Sequence, residues 1–163
     1  MAITGIEQAD ILEIDKQVRL RRYDGQHDFA FEWHQDLELV WLVDGNKEPY
    51  TLDRLNRMYG YLSKSGECYF IEILEDGKYQ PIGDVTLFKD DFAIAIGDRR
   101  YWKKWIGTKL LHRMIERARE VGLEQILVKE IYDWNTGCRK LFEKCGFEAV
   151  EKTQKGWSYR LIV

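Results

Sequence analysis

Apolar positions along the chain follow two different periods, which divide it into helical and extended segments. Helical spacing of apolar residues predicts helices over residues 27–36, 51–63, 107–121 and 135–144. Short alternating or β-branched runs predict strands over residues 18–23, 68–74, 82–88, 92–96, 125–132, 147–150 and 157–163. We expect residues 1–16 to be an irregular lead-in and residues 37–49 to be a connecting region.

The order of these elements indicates the fold class. A strand is followed by two helices, a three-strand meander on tight turns, a helix, a strand, a helix and a closing hairpin. This order predicts a chain of the α/β class, α+β type. Its mixed, mostly antiparallel central sheet has about seven strands and is flanked by about four helices. Because no repeat, low-complexity tract or linker interrupts the order, residues 1–163 are predicted to form a single domain.

Composition and charge argue against a disordered chain, a general nucleic-acid binder and a membrane protein. A hydrophobic fraction of 45% with 13% aromatic residues is typical of a folded domain. The net charge of −3 argues against a general nucleic-acid binder. We find no apolar run of the roughly 20 residues that a membrane span needs, and no signal-peptide pattern. We therefore expect a cytoplasmic protein, a monomer or homodimer, that binds neither membranes nor nucleic acid.

The three cysteines do not form a metal-binding pattern. Cys68, Cys138 and Cys145 are an odd number, and none is paired at the spacing of a metal site. We interpret them as buried thiols, which agrees with a reducing compartment. No metal is therefore expected.

A basic turn precedes the third predicted helix. Arg99, Arg100, Lys103 and Lys104 follow the strand at residues 92–96, and Gly107 lies at the start of the helix. A helix N-terminus presents free N–H groups and partial positive charge, and a glycine lets an anion approach the backbone. The turn is therefore a candidate seat for a diphosphate. The alternative is an ordinary surface turn with solvated lysines.

Two other phosphate-binding loops do not fit this turn. A triphosphate-binding loop needs a second glycine five residues before Gly107, where this chain has Trp102. A dinucleotide fingerprint needs three spaced glycines, which are absent.

Two separated motifs resemble those of the GNAT acetyltransferase superfamily. Residues 106–111, Ile-Gly-Thr-Lys-Leu-Leu, resemble its acetyl-CoA signature, with Gly107 as the last glycine. Residues 135–147, Asn-x-x-Cys-x-x-Leu-Phe-Glu-Lys-Cys-Gly-Phe, resemble the segment that follows the family's fifth strand. Trp102 and Trp105 depart from the first signature, where Gln or Arg and a glycine are usual. Residues 19–22, Arg-Leu-Arg-Arg, and the tryptophan-bearing helix that follows resemble the branch of ribosomal-protein N-terminal and aminoglycoside acetyltransferases.

The resemblance implies acetyl transfer from acetyl-CoA directly to a primary amine, either a protein N-terminus or a small polycationic molecule. It also implies a set of cofactor contacts. Backbone N–H groups over residues 104–108 would hold the diphosphate, and one near Ala95 or Ile96 would bind the thioester oxygen. Asn135 would contact the pantetheine arm, although it could equally be a helix cap, and Lys140 or Arg139 would reach the 3′-phosphate. The predicted cofactor-binding residues are Ala95, Ile96, Lys103, Lys104, Trp105, Ile106, Gly107, Thr108, Asn135 and Lys140.

The reaction needs a base, because an alkyl ammonium has a pKa near ~10 and must lose a proton before it attacks. Asp98, just after the signature strand, is the first candidate for the catalytic base. Asp84, Glu130 and Asp133 are reserves. A tyrosine often protonates the leaving thiolate in this superfamily, but the matching residue here is Phe142. Tyr132 or water would have to replace it.

Residues 27–48 suggest the nature of the acceptor. They combine six carboxylates with four aromatic residues and one lysine, which suits a cationic amine. The alternative is a solvated acidic helix face. Two other functions remain open: a non-catalytic acyl-CoA-binding module, indicated by Phe142 and Trp105, and an unrelated α/β interaction domain.

Overall fold

The computed structural model describes residue 3 and residues 5–102 and 105–163. Within these ranges it shows eight β-strands, five α-helices and one short 3-10 helix. In chain order the elements are β1 (Ile11–Glu13), β2 (Val18–Arg22), α1 (Ala30–Trp33), α2 (Leu37–Asp44), α3 (Leu52–Ser65), β3 (Gly66–Glu75), β4 (Lys78–Phe88), β5 (Phe92–Ile96), the 3-10 helix (Arg99–Tyr101), α4 (Ile106–Glu120), β6 (Gln125–Tyr132), α5 (Thr136–Lys144), β7 (Glu148–Lys152) and β8 (Gly156–Ile162).

The strands form two antiparallel sheets. β1 to β5 lie side by side in sequence order in a five-stranded sheet, and β6, β8 and β7 form a three-stranded sheet in that order. α4 connects the last strand of the first sheet to the first strand of the second. The predicted α+β class, with a mostly antiparallel arrangement and flanking helices, is therefore confirmed.

The expected irregular lead-in over residues 1–16 is wrong in part. Residues 11–13 form β1, in which Leu12 pairs with Leu20 of β2 and is buried. Three residues are too few for an alternating pattern to be recognised. This strand raises the count to eight, compared with about seven predicted.

The expected connecting region over residues 37–49 is also wrong in part, because residues 37–44 form α2. Asp36 caps this helix by accepting the backbone N–H of Glu38 at 3.1 Å, and Gly45 ends it with a left-handed φ of 66°. The helix predicted over 27–36 correspondingly shrinks to the four residues of α1. The helix α2 is hard to recognise because its unbroken apolar run, residues 39–43, does not distinguish a helix from a strand. In addition, the prediction places Asp36, the N-cap of α2, at the end of the preceding helix.

Three other predicted elements have the expected bounds, whereas β4 begins at Lys78, four residues before its predicted start. β5 and β6 span the predicted ranges, and α5 begins after Asn135, whose side chain accepts the N–H of Cys138. The turn chemistry and periodicity around these elements were strong enough to fix their ends.

Among the described residues, no helix combines the length and apolar character that crossing a membrane requires.

Two hydrophobic clusters cover opposite faces of the five-stranded sheet. In β3, Tyr69 and Ile71 belong to the cluster under α4, whereas Cys68 and Phe70 belong to the cluster under α3. Successive strand residues point to opposite faces, which explains this division. Phe88 of β4 lies in the α3 cluster, so residues 84 and 86 of the same strand face α3 as well.

Candidate active site

The two sheets meet at one point and enclose a cavity beyond it. Asp91, just before β5, accepts the backbone N–H of Phe92 at 2.9 Å and that of Lys129 in β6 at 3.0 Å through one oxygen. Past this junction a cavity of about 430 Å³ separates residues 92–95 of β5 from residues 128–132 of β6. Its other walls come from α2, α3 and α5, through residues that include Leu42, Asp44, Tyr50, Met58, Tyr61, Asp84, Asn135, Cys138 and Phe142.

The register of β5 decides which of its backbone groups face this cavity. The Gly97 N–H donates to the Ile82 carbonyl of β4 at 2.8 Å, and the Phe88 N–H donates to the Asp91 carbonyl at 3.0 Å. Hydrogen bonding alternates along an antiparallel pair. Every second residue from 91 to 97 therefore directs its backbone to β4, and the residues between direct theirs away from β4, towards β6.

This alternation separates the two residues predicted to bind the thioester oxygen. Ala95 pairs with Asp84 in a hydrogen-bonded position, so its N–H is used by β4. Ile96 belongs to the other set, and its N–H points away from β4. The Ile96 carbonyl accepts the indole N–H of Trp102 at 2.6 Å, which fixes the end of the strand. The geometry therefore favours Ile96 over Ala95 as a donor in the gap.

One carboxylate is buried in the cavity wall. Asp84 is only 5% exposed and accepts the Tyr59 hydroxyl of α3 at 2.8 Å. Burial raises the pKa of Asp84 to about 6, and the hydrogen bond from Tyr59 opposes that rise. Burial also raises the pKa of Tyr59, so that this hydroxyl keeps its proton.

Asp98, the first predicted base, lies in a different environment. It begins the 3-10 helix after β5, where it accepts the Arg100 backbone N–H at 3.0 Å and the Arg100 guanidinium at 2.8 Å. This hydrogen bonding lowers the pKa of Asp98. Of the reserves, Glu130 lines the cavity and accepts the Lys155 N–H at 3.1 Å, whereas Asp133 is exposed.

The predicted diphosphate seat is the start of α4. Trp105 occupies the N-cap position with 83% of its surface exposed, and Ile106 is buried. Gly107 is buried too. A Cβ on it would lie 3.0 Å from Leu141 Cδ2 of α5, so this glycine permits close packing of two helices. Thr108 is half-buried in the first turn.

Lys103 and Lys104, predicted to contact the phosphates, lie outside the described residues. The neighbouring arginines are ion-paired: Arg99 with Asp36 and Glu38, and Arg100 with Asp98.

Asn135 uses both ends of its side-chain amide within the protein. Its oxygen accepts the Cys138 N–H at 3.2 Å, and its nitrogen donates to the Leu42 carbonyl of α2 at 3.1 Å. The helix-cap alternative is thus present, together with a tie to α2 that the sequence did not indicate. Lys140 is exposed on α5. Phe142 is buried and lines the cavity, so no hydroxyl is available at this position.

An aromatic stack that sequence reasoning missed joins α2 to the turn after β6. The Trp134 ring stacks on Trp41 at 4.2 Å and on Tyr132 at 4.7 Å, and its indole N–H donates to the Trp41 carbonyl at 2.9 Å. Of the three rings, that of Tyr132 lines the cavity. Only the presence of tryptophans at both positions hinted at these contacts.

A second polar group lines the cavity near α2. Asp44 is ion-paired with Arg54, and burial raises the pKa of the neighbouring Tyr50 to about 12. His34 is 2% exposed, and its Nδ1 contacts the Ala30 carbonyl at 2.9 Å. Because burial lowers the pKa of His34, this ring is neutral at pH 7.

Solved structures with a similar fold include acetyltransferases. A domain from Methanocaldococcus jannaschii superposes with a TM-score of 0.80 at 19% identity, covering 91% of this chain and 100% of that one. A GNAT-family acetyltransferase from Bacillus anthracis gives 0.73 at 11% identity, covering 90% and 95%. The aminoglycoside acetyltransferase AAC(6′)-Ib in complex with coenzyme A gives 0.67 at 20% identity, covering 89% and 94%.

At the level of sequence, a search of curated proteins found no match. The profile of the acetyltransferase (GNAT) family matches residues 28–147. This range runs from before α1 to the end of α5 and includes both motifs as well as the walls of the cavity. The chain therefore belongs to the GNAT acetyltransferase family.

Proposed function

We propose that this protein transfers an acetyl group from acetyl-CoA to a primary amine, which attacks the thioester directly. The gap between β5 and β6, with the Ile96 N–H directed away from β4 at the end of β5, is the observation that carries the proposal. A thioester laid along β5 would place its carbonyl oxygen against this N–H, which stabilises the oxyanion that develops during attack. The AAC(6′)-Ib structure in complex with coenzyme A supports the choice of donor.

The start of α4 would hold the diphosphate. Backbone N–H groups of residues 105–108 are free of helical partners at this end, and Lys103 and Lys104 would add charge-assisted contacts to phosphate oxygens. Asn135 would meet the pantetheine arm at the cavity wall, and Lys140 would reach the 3′-phosphate.

The charge of the cavity supports an amine acceptor. The lining includes four carboxylates, Asp44, Asp84, Asp91 and Glu130, against one cation, Lys129. Aromatic rings of Tyr50, Tyr61 and Tyr132 lie among them. Carboxylates and aromatic faces together attract ammonium groups. AAC(6′)-Ib, which has the same fold, was solved with ribostamycin and coenzyme A, so a small polycationic amine is an acceptor to test beside protein N-termini.

The departing thiolate would be protonated by Tyr132. Burial raises the pKa of its phenol, which therefore keeps a proton to donate at neutral pH. A thiol has a reference pKa near ~8.5, so the thiolate is also able to leave without help. Tyr132 replaces the hydroxyl that Phe142 lacks.

A thiol-release assay with acetyl-CoA tests the proposal. The acceptors are aminoglycosides, polyamines and peptides with free N-termini, each compared with its N-acetylated form as a matched control. We expect acceptor-dependent release of free coenzyme A with at least one unblocked amine. No release above the acceptor-free rate with any amine would contradict the proposal.

A non-catalytic acyl-CoA-binding module is the second candidate, favoured by the buried Phe142 and by the internal hydrogen bonds of Asn135. It predicts that coenzyme A raises the melting temperature, as ligand linkage requires, while no amine is acetylated.

A further inference from the structure

We propose that Asp84 is the general base that takes the proton from the acceptor's ammonium group, and that Tyr59 is the residue that positions it. This inference rests on the proposed function and assigns the step that function leaves open. It differs from the expectation for Asp98, which came from proximity to the signature strand.

The position of Asp84 suits this role. Cross-strand partners share a face of the sheet, so the side chains of Asp84 and Ala95 both point towards α3. Their Cα atoms are separated by about 5.5 Å, the spacing of a hydrogen-bonded antiparallel pair. Asp84 and Ala95 both line the cavity, so the carboxylate borders the gap across a small β5 side chain. An amine that attacks from the α3 face would lie within reach of the carboxylate, directly or through one water.

The electrostatics of Asp84 differ from those of the other buried carboxylates. Glu67 is paired with Arg117, and Glu72 with Arg19 and Arg21. Within the part of the chain that the structure describes, no cationic side chain lies within 4.0 Å of Asp84. Buried charges are normally paired, so an unpaired carboxylate on a cavity wall indicates a site for an incoming cation.

Tyr59 fixes one oxygen and leaves the other for the substrate. Its hydroxyl donates to Oδ2, and its ring packs against those of Tyr23 at 5.4 Å and His27 at 4.8 Å, which also stack on each other at 5.9 Å. This packing holds the phenol in place. The remaining oxygen, Oδ1, can accept the proton from the ammonium nitrogen.

The step balances as a proton transfer coupled to acyl transfer. Asp84 accepts the ammonium proton, and the freed nitrogen lone pair forms the C–N bond as the C–S bond breaks. After attack the nitrogen loses a second proton, which passes through water to Tyr132 as Tyr132 protonates the thiolate, or passes to the thiolate through water alone. Protonated Asp84 then releases its proton to solvent. Because burial raises the pKa of Asp84 to about 6, this carboxylate is a stronger base than an exposed aspartate and is ionised at pH 7–8.

The test measures kcat/KM by thiol release between pH 5 and 9 for the wild type and for Asp84→Asn, using the best acceptor from the panel. Asp53→Asn on the exposed side of α3 is the matched control. The acceptor's own ionisation affects all forms equally, so differences between profiles report on the enzyme. We expect Asp84→Asn to lower kcat/KM by about 10²- to 10⁴-fold. The fall in kcat/KM on the acidic side of the pH profile, near pH 6 in the wild type, should disappear (the acidic limb). The Kd of acetyl-CoA should stay within about threefold of the wild type.

Three outcomes are decisive. Turnover by Asp84→Asn within about threefold of the wild type, with the limb retained, would overturn the inference and leave the proposed function intact. If Asp84→Asn keeps its activity and Asp98→Asn is inactive, the general base is Asp98. No turnover by the wild type would instead defeat the proposed function.

If Asp84→Asn does not fold, the pH profile of kcat/KM for Tyr59→Phe tests the inference instead. Removal of the hydrogen bond that lowers the Asp84 pKa must move the limb to higher pH, and an unmoved limb would overturn the inference.

Discussion

Two aspartates, one just after β5 and one in the neighbouring strand β4, show how environment decides the chemistry of a carboxylate. Asp98, in the turn that leads to α4, is held by the Arg100 guanidinium, which lowers its pKa. Asp84, one strand away on the α3 face, is buried against Tyr59, and burial raises its pKa to about 6. The first is stabilised as an anion and starts a helix, whereas the second is a stronger base. In our proposal the catalytic carboxylate is the buried Asp84 and not Asp98, the one nearest the cofactor motif.

The two regions also respond to pH in opposite directions. Folded Asp84 binds its proton more tightly than the unfolded chain does, so its contribution to stability falls as the pH rises from about 4 to about 6. Folded Asp98 binds its proton more weakly, so its contribution is present at neutral pH and is lost as the pH falls through its lowered pKa.

The largest expected effect is on activity. At pH 7.5 we expect Asp84→Asn to lose about 10²- to 10⁴-fold in kcat, since its amide cannot accept the proton. Asp98→Asn keeps a capping side chain and should lose less than about threefold. Parallel initial rates with one acceptor check both values. Equal losses would remove the distinction between the two sites.

The next largest effect is on stability: Asp84→Asn, which is expected to lose activity, should gain stability. At pH 8 the ionised, buried Asp84 destabilises the fold, so Asp84→Asn should raise the free energy of unfolding by up to about 3 kcal/mol, or ~1.4 kcal/mol for each pKa unit removed. The gain should vanish near pH 4, where Asp84 is protonated. Urea unfolding at both pH values, with Asp53→Asn as the control, measures it. A loss of stability at pH 8 would indicate that the Asp84–Tyr59 pair is structural.

A smaller effect concerns Gly107 on the cofactor side. Gly107→Ala should destabilise the protein by about 1–3 kcal/mol through overpacking against Leu141. The double change Gly107→Ala with Leu141→Ala should be less destabilising than the sum of the two single changes, because the second removes the obstructing methyl groups. Denaturant melts of the four proteins give this coupling. Strict additivity would show that the helix contact does not set the need for glycine.

The smallest effect is expected at Tyr132. Tyr132→Phe should lower kcat by less than about tenfold, because a thiolate with a reference pKa near ~8.5 leaves readily without an acid. Single-turnover rates against the wild type measure this loss, and Tyr61→Phe provides a second phenol for comparison. A loss of more than about 100-fold would give Tyr132 a larger role than proton donation to the thiolate.

The sequence predicted the elements that build the site better than the chemistry within it. The bounds of β5, β6 and α5 follow from periodicity and from the Asn135 cap, and both are local signals. The α2 helix was missed because its apolar run has no period of its own. The Asp84–Tyr59 hydrogen bond joins residues that belong to different elements, and the choice between Ala95 and Ile96 depends on strand register. Neither is encoded by spacing along the chain.

The proposed function requires that the gap between β5 and β6 receives the thioester, with the Ile96 N–H as the oxyanion donor. A crystal structure of Asp84→Asn with acetyl-CoA tests it most directly, because slow turnover would preserve the ligand. We expect the thioester oxygen to lie about 2.9 Å from the Ile96 nitrogen, with the acetyl group next to Ala95. A thioester bound outside the gap, or turned away from Ile96, would contradict it.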